Sequence, residues 1–360
     1  MYLNESELKN VTIDYECLKL LNVDLSSTLI FDIETTGFSS LTNQIYLIGC
    51  IYFSNNKVLL KQWLCESLGE EKDILLAFIS FIKDFKDIIH FNGSRFDIPF
   101  MTKRLNNHNI LFDLNTIKEH DLYLNMKHYK DYLNINSLKQ KELELYMGIN
   151  REDKYTGGEL IGYFYHFINT KDEGIKDMLL LHNKDDLKGL ASILSLFRIP
   201  CFFIDLKNRL LTKDYALLVT DHTIEIALEN LMDLPKDLNY RNEAFILKIS
   251  DHKIIIEIPF SDTEMKHFFA NYKDYFYLPN EDEAIHKSIG VYVDGSSRIQ
   301  AKASNCYIKK RGKFIPLFEK IDSCLFKKSY QDSMYYICLD DLQNSISTRE
   351  NYINHLIQNL

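Results

Sequence analysis

The sequence predicts an α/β domain, with a sheet flanked by helices, followed by a second domain of the α+β class. Its 360 residues, 46% of them hydrophobic, are more than one compact domain usually spans. In the first half, several apolar runs rich in β-branched and aromatic residues follow one another before a helical segment and a further strand. A layered α/β architecture is the simplest packing of that order.

The first predicted strands begin near residue 28. Apolar runs at 28–31, 45–53 and 57–65 are separated by polar turns, which predicts three strands joined by short connections. The segment 69–85 has acids in its first turn and apolar residues at helical spacing, so it predicts a helix. Residues 87–92 then predict a short buried strand.

The rest of the first domain predicts further helices and one more strand. Residues 94–107 predict a loop that leads into a helix, and residues 120–124 predict a fifth strand. Apolar residues at near-helical spacing predict a long helix at 172–197. Pro200 follows its end, where a proline cannot continue the helical hydrogen bonds. We therefore place an N-terminal extension at 1–27, a first domain at 28–200 and a second domain at 201–360.

The second half of the chain has a different pattern. Residues 244–250 and 253–260 are apolar runs on either side of a polar step, which predicts a hairpin. We expect a helix near residues 262–269, further short strands to about residue 339, and a helical end at 342–360. This mixture predicts an α+β domain, and no motif in the sequence indicates its role.

Composition excludes several classes of protein. The net charge of −9 argues against a protein that coats nucleic acid, but a nuclease adds negative charge through its own catalytic carboxylates. The opening residues lack the basic start and apolar core of a secretion signal, and no apolar run reaches the roughly 20 residues that cross a bilayer. Seven cysteines without a CxxC pair indicate neither a disulfide framework nor a zinc cluster. We expect a soluble, cytoplasmic protein without a membrane partner.

The segment FDIETTG at 31–37 is the strongest indication of chemistry. Side chains alternate along a strand, so Asp32 and Glu34 project to one face, about 7 Å apart along the chain. Two carboxylates on one face of a buried strand repel each other and resist desolvation. A divalent cation is the usual means of stabilising such a pair.

Two further segments carry acids that could join this pair. In FNGSRFDIPF at 91–100, Asp97 opens a helical segment directly after a turn. In LHNKDDLKGL at 181–190, His182 and Asp186 are four residues apart and therefore share one face of a helix. Four carboxylates from three segments suit two hard metal ions, as in enzymes that cleave phosphodiesters. A helix cap for Asp97 and a solvated helix face for Asp186 are the structural alternatives.

The motifs DIETTG, NGxxFD and HNxxD, in this order and at these intervals, resemble the three motifs of the DEDD, or DnaQ-like, 3′-to-5′ exonuclease superfamily. Within it the chain most resembles the YprB-like group of RNase H-like proteins, over about residues 25–198. The resemblance implies an RNase H-like mixed sheet flanked by helices. It also implies that Asp32, Glu34, Asp97 and Asp186 bind metal and that His182 is the general base.

The spacing of the histidine departs from the superfamily pattern. Histidine-type members place the base five residues before the last Asp, whereas tyrosine-type members use four, and here His182 precedes Asp186 by four. An unperturbed histidine titrates near pH 6.5 and can serve as a base at neutral pH. The alternative is a helical histidine that is packed or hydrogen-bonded without a catalytic role.

Other residues of the same motifs are candidates for binding substrate. Thr35, Thr36 and Gly37 follow the acid pair, where the backbone amides of a tight turn could contact a terminal nucleotide, and Asn92 is a candidate by the same reasoning. A purely structural turn is an equally good interpretation of each.

A basic segment in the second half is a further candidate for binding nucleic acid. Residues 298–328 contain nine bases against two acids, with aromatic residues between them, and Lys309, Lys310 and Arg311 are consecutive. Such a strip suits a single strand, whose phosphates meet cations while its bases stack on rings. The alternative is an exposed hairpin whose aromatic residues face the core.

Two hypotheses of function follow from these patterns. The first is a 3′-to-5′ exonuclease that uses two Mg²⁺ or Mn²⁺ ions to hydrolyse single-stranded DNA or RNA. The second is a non-catalytic nucleic-acid-binding or assembly module that retains the exonuclease fold and uses the basic strip of the second domain. Activity that depends on Asp32 distinguishes the first from the second.

Overall fold

A computed structural model describes residues 1–9, 11, 13–152, 154–209, 215–321 and 323–360. The chain divides into two compact units, Met1–Cys201 and Phe202–Leu360. In the described part of the chain, no single helix is long and apolar enough to cross a membrane. Among the described residues, one pair of helices, Glu173–Ser192 and Leu194–Asn208, bent by 41°, meets the length and composition requirements together.

The first unit contains six strands and eight helices in its described residues, joined by short 3₁₀ turns. In chain order they are β1 (Tyr2–Glu7), α1 (Tyr15–Leu20), β2 (Thr28–Thr35), β3 (Ile45–Ser54), β4 (Lys57–Leu64), α2 (Glu71–Ile82), β5 (Asp87–His90), α3 (Asp97–Asn107), β6 (Lys118–Asp121), α4 (Leu122–Met126), α5 (Lys130–Leu133), α6 (Gln140–Tyr146), α7 (Gly157–Thr170) and α8 (Glu173–Ser192). A further helix, α9 (Arg198–Asn208), contains the boundary between the units.

The six strands form one mixed sheet in the order β1-β4-β3-β2-β5-β6. The strands β1 to β4 pair antiparallel, and β2, β5 and β6 run parallel. Helix α2 packs on β3 and β4, whereas α8 packs on β2, β3 and β4. The predicted mixed sheet flanked by helices is therefore confirmed, and β2 lies near its centre.

The N-terminal residues are part of this sheet. We placed residues 1–27 in an extension, but Tyr2–Glu7 pair antiparallel with β4 as an edge strand. Two surface ion pairs join the strands, Glu5 with Lys61 and Glu7 with Lys57, each at 2.8 Å. The strand was missed because its side chains alternate between exposed and half-buried and are mostly polar, so the apolar periodicity that identifies a strand is weak.

Two predicted boundaries differ from the structure. The fifth strand was predicted at 120–124, but β6 ends at Asp121, whose Oδ1 accepts a hydrogen bond of 3.1 Å from Leu124 N and begins α4. The long helix ends at Ser192, and after a 3₁₀ turn α9 begins at Arg198. Pro200 thus lies in the first turn of α9 rather than beyond a helix, because first-turn amides have no helical acceptor.

The second unit is built from three small sheets. Its elements are β7 (Tyr215–Val219), β8 (Thr223–Glu229), β9 (Leu238–Arg241), β10 (Ile246–Ser250), β11 (Lys253–Pro259), β12 (Ser261–Phe268), β13 (Tyr275–Leu278), β14 (Glu283–His286), α10 (Lys287–Gly290), β15 (Ile299–Gln300), β16 (Tyr307–Leu317), β17 (Tyr335–Cys338), α11 (Leu339–Asn344) and α12 (Ile346–Gln358). The sheets have the orders β7-β8-β11-β10-β9, β12-β16-β17 and β14-β13-β15.

The α+β class predicted for this unit is confirmed, and so is the hairpin of β10 and β11, in which Leu247 faces Ile256. The helix predicted near Asp262–Phe269 is wrong. Those residues form β12, which pairs along its length with β16. The segment alternates exposed and half-buried residues before Met265 becomes buried, and pairing with a long neighbouring strand outweighs the local tendency of its residues.

Candidate active site

Strand β2 presents its two acids to α8. Alternation along the strand sends Phe31 to the face covered by α2, where its ring stacks on Phe78 with centroids 5.3 Å apart. Asp32 projects to the opposite face, where its Oδ2 accepts a hydrogen bond of 2.9 Å from Asn183 Nδ2. Glu34, two residues further on, shares the face of Asp32. Both carboxylates therefore lie between the sheet and α8.

Asn183 is held in place by a row of amide side chains. Its Oδ1 accepts from Gln62 Nε2 at 2.9 Å, and Gln62 Oε1 accepts from Asn4 Nδ2 at 2.9 Å. Gly49 lies opposite Asp32 in the β2–β3 register, and any Cβ at that position would overlap Asn183 Oδ1. The missing side chain at Gly49 allows α8 to approach the sheet closely enough for Asn183 to reach Asp32.

Glu34, His182 and Asp186 meet beside this pair. His182 Nε2 lies 3.5 Å from Glu34 Oε1 and 3.2 Å from Asp186 Oδ2. One ligand atom from each of the three residues lies within 4.8 Å of the other two. The imidazole is buried, and its ring nitrogen faces both carboxylates. The two carboxylates could bind one metal ion, with the imidazole nitrogen beside it.

Asp97 closes the site from the first turn of α3. The pairing of β2 with β5 ends at Ile30, although β2 continues to Thr35. The backbone amide of Ile33 therefore donates its hydrogen bond to a side chain. Asp97 Oδ1 accepts the hydrogen bond from this amide at 3.4 Å. Burial raises the pKa of the Asp97 carboxyl to about 7, with smaller contributions from the charges of Asp121 and Asp186, although two backbone hydrogen bonds oppose the shift.

The electrostatics of the cluster suit a divalent cation. Burial raises the pKa of Asp32 well above its ordinary value, and the charges of the other three acids raise it further. Ionised carboxylates crowded together and buried need a counterion, and oxygen ligands suit Mg²⁺ or Mn²⁺. The donor set therefore fits the metal chemistry that the resemblance implies.

Arg151 supplies a counterion of the protein's own. Its guanidinium donates to Asp186 Oδ1 through Nη1, and to both oxygens of Glu144 through Nε and Nη2, the latter at 2.6 Å. Glu144 is almost fully buried on α6, and Gln140 Nε2 also donates to it at 2.8 Å. These contacts raise the pKa of Arg151 above its ordinary value, against the effect of burial. Arg151 joins α6 to the third acidic segment on α8.

The two neighbouring acids of α8 have different surroundings. Asp185 is buried and its Oδ2 accepts the backbone amide of Glu152 at 2.9 Å, so it anchors the preceding loop. Asp186 instead contacts His182 and Arg151 in the carboxylate cluster. Of the two, Asp186 lies in the carboxylate cluster, whereas Asp185 anchors the loop.

The residues after Glu34 form a bonded turn. Thr35 Oγ1 donates to Gly37 O at 2.9 Å, and Thr36 exchanges hydrogen bonds with the backbone of Gln44. Gly37 has φ +155°, and a Cβ there would lie 2.8 Å from Asn43. All three candidates therefore have structural roles in this turn, and contact with a nucleotide is a role that we propose in addition.

Asn92 lies in the turn between β5 and α3 with φ +60°. Its backbone amide donates to Asp121 Oδ1 at 2.9 Å, and Ser94 N donates to Asp121 Oδ2 at 3.2 Å. Asp121 thus ties the turn that carries the second motif to the start of α4. Within the described residues, the buried Asn92 Oδ1 has no hydrogen-bond partner in the protein.

The consecutive bases Lys309, Lys310 and Arg311 lie on β16 of the second unit, whereas the four acids belong to the first unit. Lys309 pairs with Asp282 at 3.3 Å and Lys310 with Asp341 at 3.5 Å, whereas Arg311 is exposed. Three of the aromatic residues between the bases are buried, namely Tyr307, Phe314 and Phe326. This is the arrangement of the structural alternative, a hairpin whose rings face the core.

Several residues of the site were not identified from the sequence. Asn183 follows His182 within the third motif, and this adjacency was the one available signal. Arg151 and Glu144 lie outside the motifs. Tyr46 lies in an apolar strand, where nothing in the sequence distinguishes it from the other buried residues. Tyr46 sits at the β-bulge opposite Glu34, and its buried hydroxyl has no protein partner in the described part of the chain. Burial and then the nearby acids raise the pKa of Tyr46, so its hydroxyl is a donor.

Comparison with known families agrees with this fold. Residues 29–197 match the family model RNase_H_2 of the RNase_H superfamily. The first unit therefore contains an RNase H-like domain, with the acids on β2 and α8 at its centre. No curated protein matches the chain.

Among solved structures, the chain is similar to a family B DNA polymerase from the archaeon Pyrobaculum calidifontis, with 12% identity, a TM-score of 0.38, and coverage of 56% of this chain and 34% of that one. It is also similar to the metal-free complex of E. coli exonuclease I with single-stranded DNA (11% identity, TM-score 0.32, 62% and 54% covered). The complex of that enzyme with a dA16 oligonucleotide has 13% identity and a TM-score of 0.29, and the match covers 62% of this chain and 54% of that one. The chain thus matches between a third and just over half of these proteins' lengths.

Proposed function

We propose that the protein is a metal-dependent nuclease that removes nucleotides from the 3′ end of single-stranded DNA or RNA. The observation that carries the proposal is the convergence of Glu34, His182 and Asp186, whose ligand atoms lie within 4.8 Å, beside two buried acids of raised pKa. The sequence resemblance to DEDD exonucleases supplies the direction of cleavage and the class of substrate.

The residues present would hold two divalent ions. Glu34 and Asp186 offer oxygen ligands beside the imidazole of His182, and Asp32 and Asp97 supply the remaining carboxylates. Mg²⁺ or Mn²⁺, when bound, neutralises charge on the phosphodiester and activates the attacking water. Ionisation of Asp32 and Asp97, which burial opposes, is favoured by such ions because opposite charges at short range stabilise the charged form.

The reaction adds water across the last phosphodiester. His182 accepts a proton from the attacking water at Nε2, the nitrogen that faces Glu34 and Asp186. The phosphorus–oxygen bond to the upstream 3′ oxygen breaks and that oxygen leaves as a hydroxyl, so the products are a nucleoside 5′-monophosphate and a shortened strand. Asn183 keeps the Asp32 carboxylate oriented through its 2.9 Å hydrogen bond.

The test compares the two neighbouring acids of α8. The wild-type protein with Mn²⁺ is incubated with oligonucleotides labelled at either end. We expect stepwise shortening from the 3′ end, with Asp186→Asn and Asp32→Asn at least about a hundredfold slower, since each removes a ligand charge. Asp185→Asn, which retains an acceptor for Glu152 N, is expected to keep most of the activity. An intact oligonucleotide in the presence of folded, metal-supplied protein refutes the nuclease proposal.

One observation favours the non-catalytic alternative. Arg151 already neutralises Asp186, so the cluster has a counterion without metal. If this arginine has replaced the metal, calorimetry with Mn²⁺ shows no binding that is lost in Asp32→Asn. Binding to oligonucleotides is then expected to depend on Lys309, Lys310 and Arg311 and to be steeply sensitive to salt.

A further inference from the structure

A groove in the first unit is lined by residues that adjoin two of the acidic motifs. It has a volume of about 700 Å³, and its walls include Lys127, Lys130 and Lys139 together with Phe91 and Tyr123. We call it the lysine groove. Helices α4 and α5 and the segment that leads into α6 form its sides, and the end of β5 lies at its base.

Hydrogen bonds connect the lysine groove to two of the acidic motifs. Gln140, which lines the groove, donates to the backbone carbonyl of Asp186 at 2.8 Å. Asn92, also in the lining, lies in the turn that precedes Asp97 and is held by Asp121 at the start of α4. A strand that ended among the acids could therefore continue directly into this groove.

The charge of the groove is opposite to that of the cluster beside it. None of the described residues that line it is acidic, and within the described structure its three lysines, Lys127, Lys130 and Lys139, form no ion pair with an acid. This differs from Lys309 and Lys310, which each pair with a carboxylate. Unpaired cations in a chain of net charge −9 favour an anionic occupant.

The groove also offers aromatic surface. Phe91 and Tyr123 meet edge to face with centroids 5.8 Å apart, and both are partly exposed. Beside them Asn92 Oδ1 is a buried acceptor without a protein partner in the described residues. Rings and an amide beside cations suit an occupant that carries both phosphates and flat polar bases.

We propose that the lysine groove binds the nucleotides on the 5′ side of the scissile phosphate. This inference rests on the proposed nuclease function. The strand's phosphates lie near Lys127, Lys130 and Lys139, and its bases stack against Phe91 and Tyr123. The terminal nucleotide occupies the cluster, so the rest of the strand leaves through the groove.

The test uses two substrates that differ only in what would fill the groove. One is a labelled single-stranded oligonucleotide, and the other is the p-nitrophenyl ester of thymidine 5′-monophosphate, in which p-nitrophenol replaces the upstream strand. The variant Lys127→Ala with Lys130→Ala removes two exposed or half-exposed charges from the groove. Lys72→Ala with Lys83→Ala is the matched control, since both lysines are exposed, one in α2 and one directly after its last residue.

We expect the groove variant to raise KM for the oligonucleotide about tenfold or more at low salt while kcat changes little. The salt dependence of log(kcat/KM) should fall by a slope of roughly 1.4, the value for two lost phosphate contacts on a single strand. Hydrolysis of the p-nitrophenyl ester and both activities of the control should stay at the wild-type level. Tyr123→Leu should weaken oligonucleotide binding about tenfold by removing a stacking surface.

The proposal is overturned if the groove variant has the wild-type KM and salt slope for the oligonucleotide, or if both substrates are affected equally. Failure of the nuclease function appears differently, as a wild-type protein that hydrolyses neither substrate. Fluorescence anisotropy with a labelled oligonucleotide then tests binding to the groove independently of hydrolysis. Binding that weakens in the groove variant but not in the control supports it, and equal binding by all three proteins overturns it.

Discussion

Asp97 gains a backbone hydrogen bond at this site, but its burial disfavours the ionised carboxylate. It is buried, and its Oδ1 accepts a hydrogen bond from the amide of Ile33, beyond the pairing of β2 with β5. The same burial raises its pKa to about 7 from an ordinary value of 3.8. Holding the ionised form in place therefore opposes folding until a cation is supplied, and the residue is retained at a cost in stability.

This cost predicts a dependence of stability on pH. Because the folded-state pKa lies above the unfolded one, the contribution of Asp97 is fully present below about pH 4 and is lost as pH rises through about 7. Without metal, Asp97→Asn should gain stability relative to wild type between pH 5 and pH 8, by a few kcal/mol at most. Urea unfolding in the presence of a chelator measures it, and the exposed Asp177→Asn should show no such trend. A constant difference across this range contradicts the burial argument.

Gly49 is a second residue that matters to the site through a single neighbour, Asn183. Its lack of a side chain makes room for Asn183, the residue that orients Asp32. Gly49→Ala should destabilise the protein by roughly 1–3 kcal/mol, because a strand and a helix would have to separate. It should also lower activity by displacing Asn183.

The matched control for Gly49 is Gly162→Ala in α7, where a Cβ meets no atom within 4 Å. That change should leave the protein as stable as wild type or up to about 1 kcal/mol more stable, because alanine favours a helix. Thermal unfolding of both variants tests the pair. Equal stability of the two variants would show that the packing of α8 on the sheet does not depend on the absence of a side chain at Gly49.

At the scale of elements, the site depends on how α6 and α8 are joined. Helix α8 carries His182 and Asp186, and Arg151 links it to Glu144 of α6. Glu144 also lies against Gly189 of α8, where a Cβ would overlap its carboxylate. The two helices therefore meet through a buried ion pair and a close backbone approach, rather than through apolar side chains alone.

Removing one partner of this ion pair should be costly. Arg151→Met leaves Glu144 buried with Gln140 as its remaining side-chain partner, which predicts a loss of roughly 3–5 kcal/mol at neutral pH. The double variant Arg151→Met with Glu144→Gln should recover most of that loss, because no charge then remains buried. Denaturant unfolding of the single and double variants measures the coupling. Additive effects would show that the pair is not a structural link.

The whole molecule consists of two compact units, and the candidate site lies within the first. The four acids, the histidine and the lysine groove all fall within Met1–Cys201. The basic residues of β16 belong to the second unit, and two of the four, Lys309 and Lys310, are paired with acids. We propose that the first unit carries the chemistry, and the role of the second unit is separate from it.

This division predicts that the first unit works without the second. A fragment of residues 1–208, which keeps α9 whole, should unfold cooperatively and hydrolyse the p-nitrophenyl ester at a rate close to that of the full chain. A fragment ending at residue 192 loses the buried Leu194, Leu196 and Phe197 and should be much less stable. Calorimetry and the hydrolysis assay test both fragments. An inactive but folded longer fragment would place part of the active site in the second unit.

Local patterns in the sequence predicted most of the sheet that holds the site. The strands β2, β3 and β4 and the helix α2 follow apolar periodicities within short windows, which depend only on neighbouring residues. The identities of the acids on β2 and α8 came from motifs of the same local kind. The edge strand β1 and the strand β12 were missed because their formation depends on a partner strand distant in the chain. The end of β6 was missed because Asp121 caps α4 instead of continuing the strand.

The sequence alone determined most strands and helices of the α/β layer and which acids are candidates, since each follows from residues close together in the chain. The mixed sheet was implied by the family resemblance of the motifs. Only the tertiary structure decided that Asp186 rather than Asp185 faces Glu34, that Asn183 and Arg151 hold the acids, and that Lys309 and Lys310 are paired. These are contacts between side chains far apart in sequence, and a hydrogen bond or ion pair forms only where packing brings its two atoms together.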